Sequence, residues 1–86
     1  MSYAVALTDK ARRTYESASA ALQRKLDRCF EVLAGSPRDH PNIKALKGAM
    51  KGCYRYRVGD YRVIYRIDDE KVLVVVLVIV HRGSAY

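Results

Sequence analysis

The chain has 86 residues, half of them hydrophobic, and a formal net charge of +7. This length predicts one domain, 1–86, near the size at which a single core just maintains a fold, and the apolar content argues against a disordered chain. Between residues 44 and 66, seven basic side chains accompany one acidic side chain. This cluster favours a polyanion or a strongly acidic protein as partner; the alternative is a charged surface that only aids solubility.

The cysteines and histidines exclude several classes of protein. Cys29 and Cys53 are too few for a disulfide framework and predict reduced thiols in a cytoplasmic protein. His40 and His81 show no ligand spacing, so we expect no metal and no other cofactor. No signal peptide is expected, because Met1 and Ser2 lead directly into an alternating segment. The apolar run at 72–80 has nine residues, about half of a membrane-spanning helix, so no membrane association is expected.

The first half of the chain predicts a strand and two helices. Residues 3–7 alternate as a short strand, and Thr8 can cap a helix whose first turn contains Asp9. A second helix is predicted from near Ser19 to Gly35 and Pro37. Its apolar stripe has helical spacing and consists of Leu22, Leu26, Cys29, Phe30 and Leu33.

The second half predicts a loop and three strands. Residues 36–48 are predicted to be a loop, and residues 54–58 and 61–67 then alternate around a tight turn at Gly59-Asp60. After a turn at 68–71, residues 72–80 resemble a central strand covered on both faces for much of its length. The predicted fold class is α+β: a compact βααβββ domain whose helical hairpin packs on one face of a small, mainly antiparallel sheet. The first strand is expected beside the last.

Strand alternation separates two sets of side chains. Residues two apart share a face, so Arg55 and Arg57 point away from the tyrosines beside them, and Arg62 and Arg66 do the same in the next strand. If the aromatic and aliphatic sets face the helices, four arginines project from the open side. Guanidinium groups bind phosphates through paired hydrogen bonds, so a phosphodiester clamp is one interpretation. The other is a solvated outer face of the sheet.

The C-terminal residues extend the first interpretation. His81, Arg82 and Tyr86 supply a proton donor, a cation and an aromatic ring. Aromatic stacking combined with arginine is typical of single-stranded RNA recognition. The alternative is a frayed terminus with an incidental tyrosine.

Four segments of the sequence together resemble a known protein family: Leu46-Lys47-Gly48, the stretch 52–66, the apolar strand at 72–80, and His81-Arg82 with Tyr86. The family that they resemble is the RelE/ParE superfamily of toxins. The resemblance spans essentially the whole chain and is most specific at 46–66 and 81–86. It is closer to the RelE branch, whose members cut mRNA in the ribosomal A site. Members of the ParE branch poison DNA gyrase and generally lack the full basic and tyrosine set.

The resemblance implies a translation-inhibiting, metal-independent endoribonuclease. A ribose 2′-hydroxyl would attack the adjacent phosphate and leave a 2′,3′-cyclic phosphate and a 5′-hydroxyl. By position, the catalytic set is Arg55, Arg57, Arg62, Arg82 and Tyr86. Some relatives have lysine at the first two positions, and arginine effectively cannot lose its proton, so we expect electrostatic clamps there instead of a general base.

His81 and four basic residues complete the predicted site. Histidine titrates near neutrality and several relatives have one at this position, so His81 is a candidate acid for the leaving 5′-oxygen. The alternative is a strand-edge histidine bonded to the backbone. The other predicted RNA contacts, equally consistent with simple solvation, are Lys44, Lys47, Lys51 and Arg66.

The resemblance also implies partners. These are an acidic, RelB-like antitoxin with a partly disordered segment, the ribosome with mRNA in its A site, and operator DNA reached through the antitoxin. Two alternative functions stay open: a gyrase poison of the ParE type, and a non-catalytic RNA-binding module in which the arginines only hold phosphate.

Overall fold

The computed structural model describes residues 2–83 and contains two helices and a five-stranded sheet. The strands are β1 (Ala4–Leu7), β2 (Ile43–Ala45), β3 (Tyr54–Val58), β4 (Tyr61–Asp68) and β5 (Leu73–His81). Their order in the sheet is β1-β5-β4-β3-β2, with β1 parallel to β5 and the other pairs antiparallel. The helices pack on one face, so the predicted α+β class and the placement of the first strand beside the last are confirmed. The α-helices are α1 (Asp9–Ser17) and α2 (Ala20–Gly35), and a short 3-10 helix covers Gly48–Met50.

Both helices begin at a hydroxyl cap: Thr8 is the cap that the sequence predicts, and Ser19 lies where the sequence predicts the start of the second helix. The Thr8 hydroxyl accepts a hydrogen bond from the Ala11 backbone N–H at 3.2 Å, and the Ser19 hydroxyl accepts one from Leu22 at 3.1 Å. These bonds satisfy N–H groups that have no partner inside a first helical turn. Ala18 is extended between the helices and forms the corner of the hairpin.

The β3–β4 hairpin closes through a two-residue turn. Val58 pairs with Tyr61, so Gly59 and Asp60 are the only residues between the strands. Gly59 has a φ of 55°, and glycine at the first central position is the requirement of a type II′ turn, whose twist matches that of the strands. This turn sets the register of every pair in the hairpin.

The core lies between the helices and the inner face of the sheet. Its sheet half consists of the tyrosine and aliphatic set predicted to face the helices, so this prediction is confirmed. Tyr65 is completely buried, and its hydroxyl donates to the Pro37 carbonyl at 2.6 Å. Burial raises the pKa of Tyr65 above its ordinary value, so the phenol remains a donor at physiological pH. The buried side chains of the core are Ala11, Leu26, Cys29, Leu33, Tyr56, Val58, Val63, Tyr65, Val74, Val76 and Ile79.

Two details of the predicted sheet are wrong. The order βααβββ omits β2, which lies inside the predicted loop 36–48 and pairs with β3 through three residues. A strand this short cannot show a recognisable alternation of polar and apolar residues. In addition, β5 is fully buried only on its helix side, whereas Val75, Val78 and Val80 on the other face are half-buried. The uniformly apolar sequence of this strand therefore does not mean that other elements cover both of its faces.

A hydrogen-bonded cluster joins the loop after α2 to the opposite end of the sheet from Gly59. Arg38 binds Asp69 through two bonds of 2.7 and 3.1 Å, and the Tyr3 hydroxyl donates to the same carboxylate at 2.9 Å. These bonds favour the ionised carboxylate, and they lower the pKa of Asp69 from its ordinary value of 3.8. The cluster fixes the chain entering β1 against the β4–β5 turn.

We predict that the Asp69 cluster makes the fold acid-sensitive. A carboxylate whose pKa is lowered by folding stabilises the protein above its unfolded pKa, and this contribution disappears as the pH falls toward the folded value. Wild-type protein should therefore lose thermal stability below about pH 4, and Asp69→Asn should lose less over the same interval. Asp39→Asn, next to Arg38 in the loop after α2, is the control, because the Asp39 side chain makes no hydrogen bond or ion pair within residues 2–83; it should lose stability with acid as wild type does. Parallel curves for wild type and Asp69→Asn would contradict the prediction.

Tyr65→Phe tests the buried hydroxyl bond. Removing the hydroxyl leaves the Pro37 carbonyl buried without its partner, and we expect the free energy of unfolding to fall by about 1–2 kcal/mol. Urea denaturation followed by circular dichroism measures this change. Tyr61→Phe is the matched control, because the Tyr61 hydroxyl makes no hydrogen bond within residues 2–83. An equal loss in both variants would show that the Tyr65 bond is not the cause.

Candidate nucleic-acid interface

The face of the sheet away from the helices carries a closely spaced arginine pair. Arg57 on β3 lies directly opposite Arg62 on β4. The Arg57 backbone N–H donates to the Asn42 carbonyl at 3.0 Å, away from β4. Arg57 and Arg62 therefore form a non-hydrogen-bonded pair of the antiparallel ladder, and the Cα atoms of such a pair are about 4.5 Å apart. Like charges at that spacing destabilise a hairpin.

The Arg55 side chain is hydrogen-bonded to a backbone carbonyl. It is half-buried, and its Nη1 donates to the Asn42 carbonyl at 2.8 Å. Its strand neighbours are Lys44 on β2 and Ile64 on β4. Because the acceptor is a neutral carbonyl, the guanidinium is positioned without losing its net charge.

Arg82 reaches the same place from the end of β5. Its backbone N–H donates to the Asp60 carbonyl at 2.7 Å, and its Nε lies 3.7 Å from an Asp60 carboxylate oxygen. Both side chains are more than half exposed, so this ion pair is weak. The backbone bond is the stronger constraint, and it fixes the residue after β5 to the β3–β4 turn.

These arginines surround an open cavity of about 120 Å³, which we call the arginine cleft. Among residues 2–83, no acidic side chain lines it. A second cavity of about 330 Å³ adjoins it and shares Arg55 and Arg62. The arginine cleft is lined by Arg55, Arg57, Gly59, Tyr61, Arg62 and Arg82, and the second cavity by Lys44, Ala45, Leu46, Lys47, Arg55 and Arg62.

Some predicted site residues lie elsewhere. Arg66 shares the open face but is four residues along β4 from Arg62, about 13 Å, and lines neither cavity. Lys51 also lines neither cavity. His81 lies beside the cleft, with its ring edge-on to Tyr61 at 5.2 Å and its Nδ1 accepting from the Gly83 N–H at 3.4 Å. The backbone bond agrees with the strand-edge alternative for this histidine. Tyr86 lies outside the described residues.

The sequence does not predict every residue that contributes to the two cavities. It places Tyr61 in the core, with contact to RNA from the sheet edge as the alternative, and this residue both packs against the core and lines the arginine cleft. Its position immediately after the turn is the available signal, because a side chain at a hairpin end lies at the rim of the sheet. Leu46 lines the second cavity, and the Asn42 carbonyl anchors Arg55. Neither belongs to an alternating pattern.

The Cys29 thiol does not provide a second reactive site. Cys29 is buried, and desolvation raises the pKa of its thiol to about 12, so it is protonated and unreactive at neutral pH. Within residues 2–83, no group of three or more His, Cys, Asp or Glu side chains is placed to hold a metal ion. In the same part of the chain no helix is both long and apolar enough to span a membrane.

Comparison with known proteins identifies related toxins. A family model described as the ParE toxin of the type II toxin–antitoxin system, parDE, matches residues 4–86. Toxin RelG of Mycobacterium tuberculosis is 44% identical over 43 residues, which are 50% of this chain and 49% of RelG. Toxin RelE of the same organism is 35% identical over 60 residues, which are 67% of this chain and 62% of that toxin. The matched segments thus span about half of the length of RelG and about three-fifths of the length of RelE.

The fold is shared with a solved toxin. The crystal structure of the toxin–antitoxin complex RelBE2 from Mycobacterium tuberculosis contains a chain that superposes with a TM-score of 0.82 at 31% identity. The match covers 95% of this chain and 100% of that one. The helical hairpin on a mixed sheet is therefore an architecture found in such toxins.

We predict that the Arg57–Arg62 pair lowers stability. Arg57→Thr should raise the free energy of unfolding by about 0.5 kcal/mol, because it removes like charges that face each other across the hairpin. The gain should shrink in high salt, which screens the repulsion. Urea denaturation in low-salt and high-salt buffer measures it. Arg66→Thr is the control, since the strand partner of Arg66 is Val75. A loss of stability in Arg57→Thr at low salt would contradict the prediction.

Proposed function

The chain belongs to the ParE toxin family of type II toxin–antitoxin systems, within the RelE/ParE superfamily, and on this premise we propose that it is an mRNA endoribonuclease of the RelE type. It cleaves mRNA in the A site of the ribosome and so inhibits translation in the cytoplasm. The curated relatives that bear RelE-type names, RelG and RelE, support this branch of the superfamily.

The observation that carries the proposal is the convergence of four arginines on the arginine cleft. They come from β3, β4 and the residue after β5, so chain segments distant in sequence supply one concentrated positive charge. A single RNA strand can enter an open cleft of this kind, with a phosphate bound by guanidinium groups. The adjoining cavity, which contains Lys44 and Lys47, suits a neighbouring part of the same strand.

The proposed reaction uses the substrate's own nucleophile. The ribose 2′-oxygen loses its proton and bonds to the adjacent phosphorus, while the bond from phosphorus to the 5′-oxygen breaks and that oxygen gains a proton. The products are a 2′,3′-cyclic phosphate and a 5′-hydroxyl. Because the nucleophile belongs to the RNA, no metal-activated water is required. The arginines stabilise the charge that grows on the phosphate oxygens and hold the attacking oxygen in line.

Proton transfer falls to groups other than the four arginines, which stay protonated. Tyr61 is the phenol that lines the cleft, and His81 lies against its ring. Tyr86 is proposed to stack on a nucleotide. In this proposal, charge stabilisation is therefore assigned to Arg55, Arg57, Arg62 and Arg82. The acid that protonates the leaving 5′-oxygen lies at the rim of the cleft.

An antitoxin is the proposed protein partner. RelBE2 is a toxin–antitoxin complex built on the same fold. An acidic, RelB-like segment matches the positive charge between residues 44 and 66. Such a segment would cover the arginine cleft and block RNA, and the complex would contact operator DNA through the antitoxin.

A gyrase poison is the second candidate, because the matching family model is described by the name ParE. This toxin would leave mRNA intact and produce DNA breaks. A non-catalytic RNA-binding module is a third, since four permanent cations bind phosphate without moving protons. It would leave neither cut transcripts nor broken DNA.

Primer extension on mRNA after brief induction of the chain separates the three. For the nuclease we expect cuts within translated codons that disappear when translation is blocked. Arg82→Ala should reduce cleavage by about 100-fold, the effect of losing one donor to a developing negative charge, and Tyr86→Ala should also weaken it. Arg66→Ala is the control, on the same face but outside both cavities, and should cleave like wild type. Intact mRNA in growth-arrested cells would overturn the proposal, and DNA breaks in those cells would favour the gyrase poison.

A further inference from the structure

The turn that precedes β2 has features that the proposed reaction does not use directly. The Ile43 N–H donates to the His40 carbonyl at 2.9 Å, which closes a four-residue turn with Pro41 and Asn42 at its centre. Proline at the second position of such a turn already has the φ angle that the turn needs. The position of the Asn42 carbonyl is consequently well determined.

The His40 side chain reinforces this turn from inside. Its Nδ1 accepts a hydrogen bond from the Asn42 backbone N–H at 3.1 Å. Its ring lies against the ring of Tyr56, with centroids 5.2 Å apart and an interplanar angle of 32°. Tyr56 is only 7% exposed and belongs to the core. The imidazole therefore connects the Asn42 peptide to the rigid interior of the protein.

The Asn42 carbonyl in turn holds two residues of the arginine cleft. It accepts from the Arg57 backbone N–H at 3.0 Å and from Arg55 Nη1 at 2.8 Å. A carbonyl oxygen has two lone pairs, and both are used here. Arg55 lines both cavities, so its orientation affects how a strand passes from one to the other.

We propose that His40 is a positioning residue for Arg55. By accepting the Asn42 N–H while its ring lies against that of Tyr56, it fixes the Asn42 carbonyl that orients the Arg55 guanidinium between the two cavities. This inference rests on the proposed function insofar as the ligand that Arg55 receives is a phosphate of single-stranded RNA. His40 itself does not line either cavity.

Two substitutions separate positioning from a simple packing role. His40→Asn keeps an acceptor for the Asn42 N–H, because an asparagine oxygen readily bonds the N–H two residues on, but it loses the ring. His40→Phe keeps a ring against Tyr56 and loses the acceptor. If His40 only packs, the phenylalanine variant resembles wild type; if it positions Arg55, the asparagine variant does.

The first readout is the binding of a 2′-O-methyl hexanucleotide RNA, which lacks the attacking hydroxyl, to the full chain by fluorescence anisotropy. We expect His40→Phe to weaken binding about tenfold, within the range of coupling between residues of one hydrogen-bonded network. His40→Asn should restore most of the affinity. In an Arg55→Ala background, His40→Phe should have no further effect, because the group it positions is absent. Independent, multiplicative losses in the double variant would overturn the proposal.

The second readout does not involve RNA. In protein labelled with ¹⁵N-arginine, we expect NMR to show hindered rotation of the Arg55 guanidinium in wild type, to show its loss in His40→Phe, and to show that it is retained in His40→Asn. The amide spectrum of each variant reports whether it folds. Unchanged Arg55 signals in folded His40→Phe would refute the positioning role, even if wild-type protein bound no RNA. Conversely, coupling between His40 and Arg55 in a chain that leaves mRNA intact would retain this inference and reject the nuclease.

Discussion

The two-residue turn at Gly59-Asp60 is the constraint on which the site depends, because it sets the register of β3 against β4. Side chains alternate along a strand, so a slip of one residue would turn the arginines toward the helices and the tyrosines toward solvent. With Val58 opposite Tyr61, Arg57 and Arg62 meet on the open face while Tyr56, Val63 and Tyr65 enter the core. The Asp60 carbonyl also receives the Arg82 N–H. One turn thus determines both the paired arginines and the place where the end of β5 joins them.

Two arginines of the cleft are tied to backbone carbonyls, Arg55 through its guanidinium and Arg82 through its backbone N–H. Asn42 binds Arg55 through its carbonyl, and the Asp60 carbonyl binds the backbone of Arg82. Arg38 is a contrast at the other end of the sheet, where two short bonds to Asp69 neutralise it. An arginine paired in that way stabilises the fold but offers little to a phosphate. The acceptor thus distinguishes Arg38, which is neutralised by a carboxylate, from Arg55, whose guanidinium keeps its net charge beside a carbonyl.

Most of the fold could be predicted because its elements have periods long enough to detect. Local chemistry predicts the Thr8 cap, the start of the second helix near Ser19, the Gly59-Asp60 turn and the alternating strands, and the structure contains them. β2 was missed because three residues show no period. Arg66 was grouped with the other arginines because alternation defines a face but does not define distance along it. The exposed side of β5 was misjudged because an apolar composition does not reveal how many elements cover a strand.

The sequence by itself determined which side chains share a face, since that follows from backbone geometry within each strand. It also determined the excess of positive charge and the absence of carboxylates beside the arginines, apart from Asp60. Only the tertiary structure decided that Arg82 joins Arg55, Arg57 and Arg62 around one cleft and that His81 lies against Tyr61 instead. It also decided that the turn beginning at His40 places the Asn42 carbonyl within hydrogen-bonding distance of Arg55. These contacts join residues from separate elements, and their distances depend on sheet order and loop path, which no local pattern encodes.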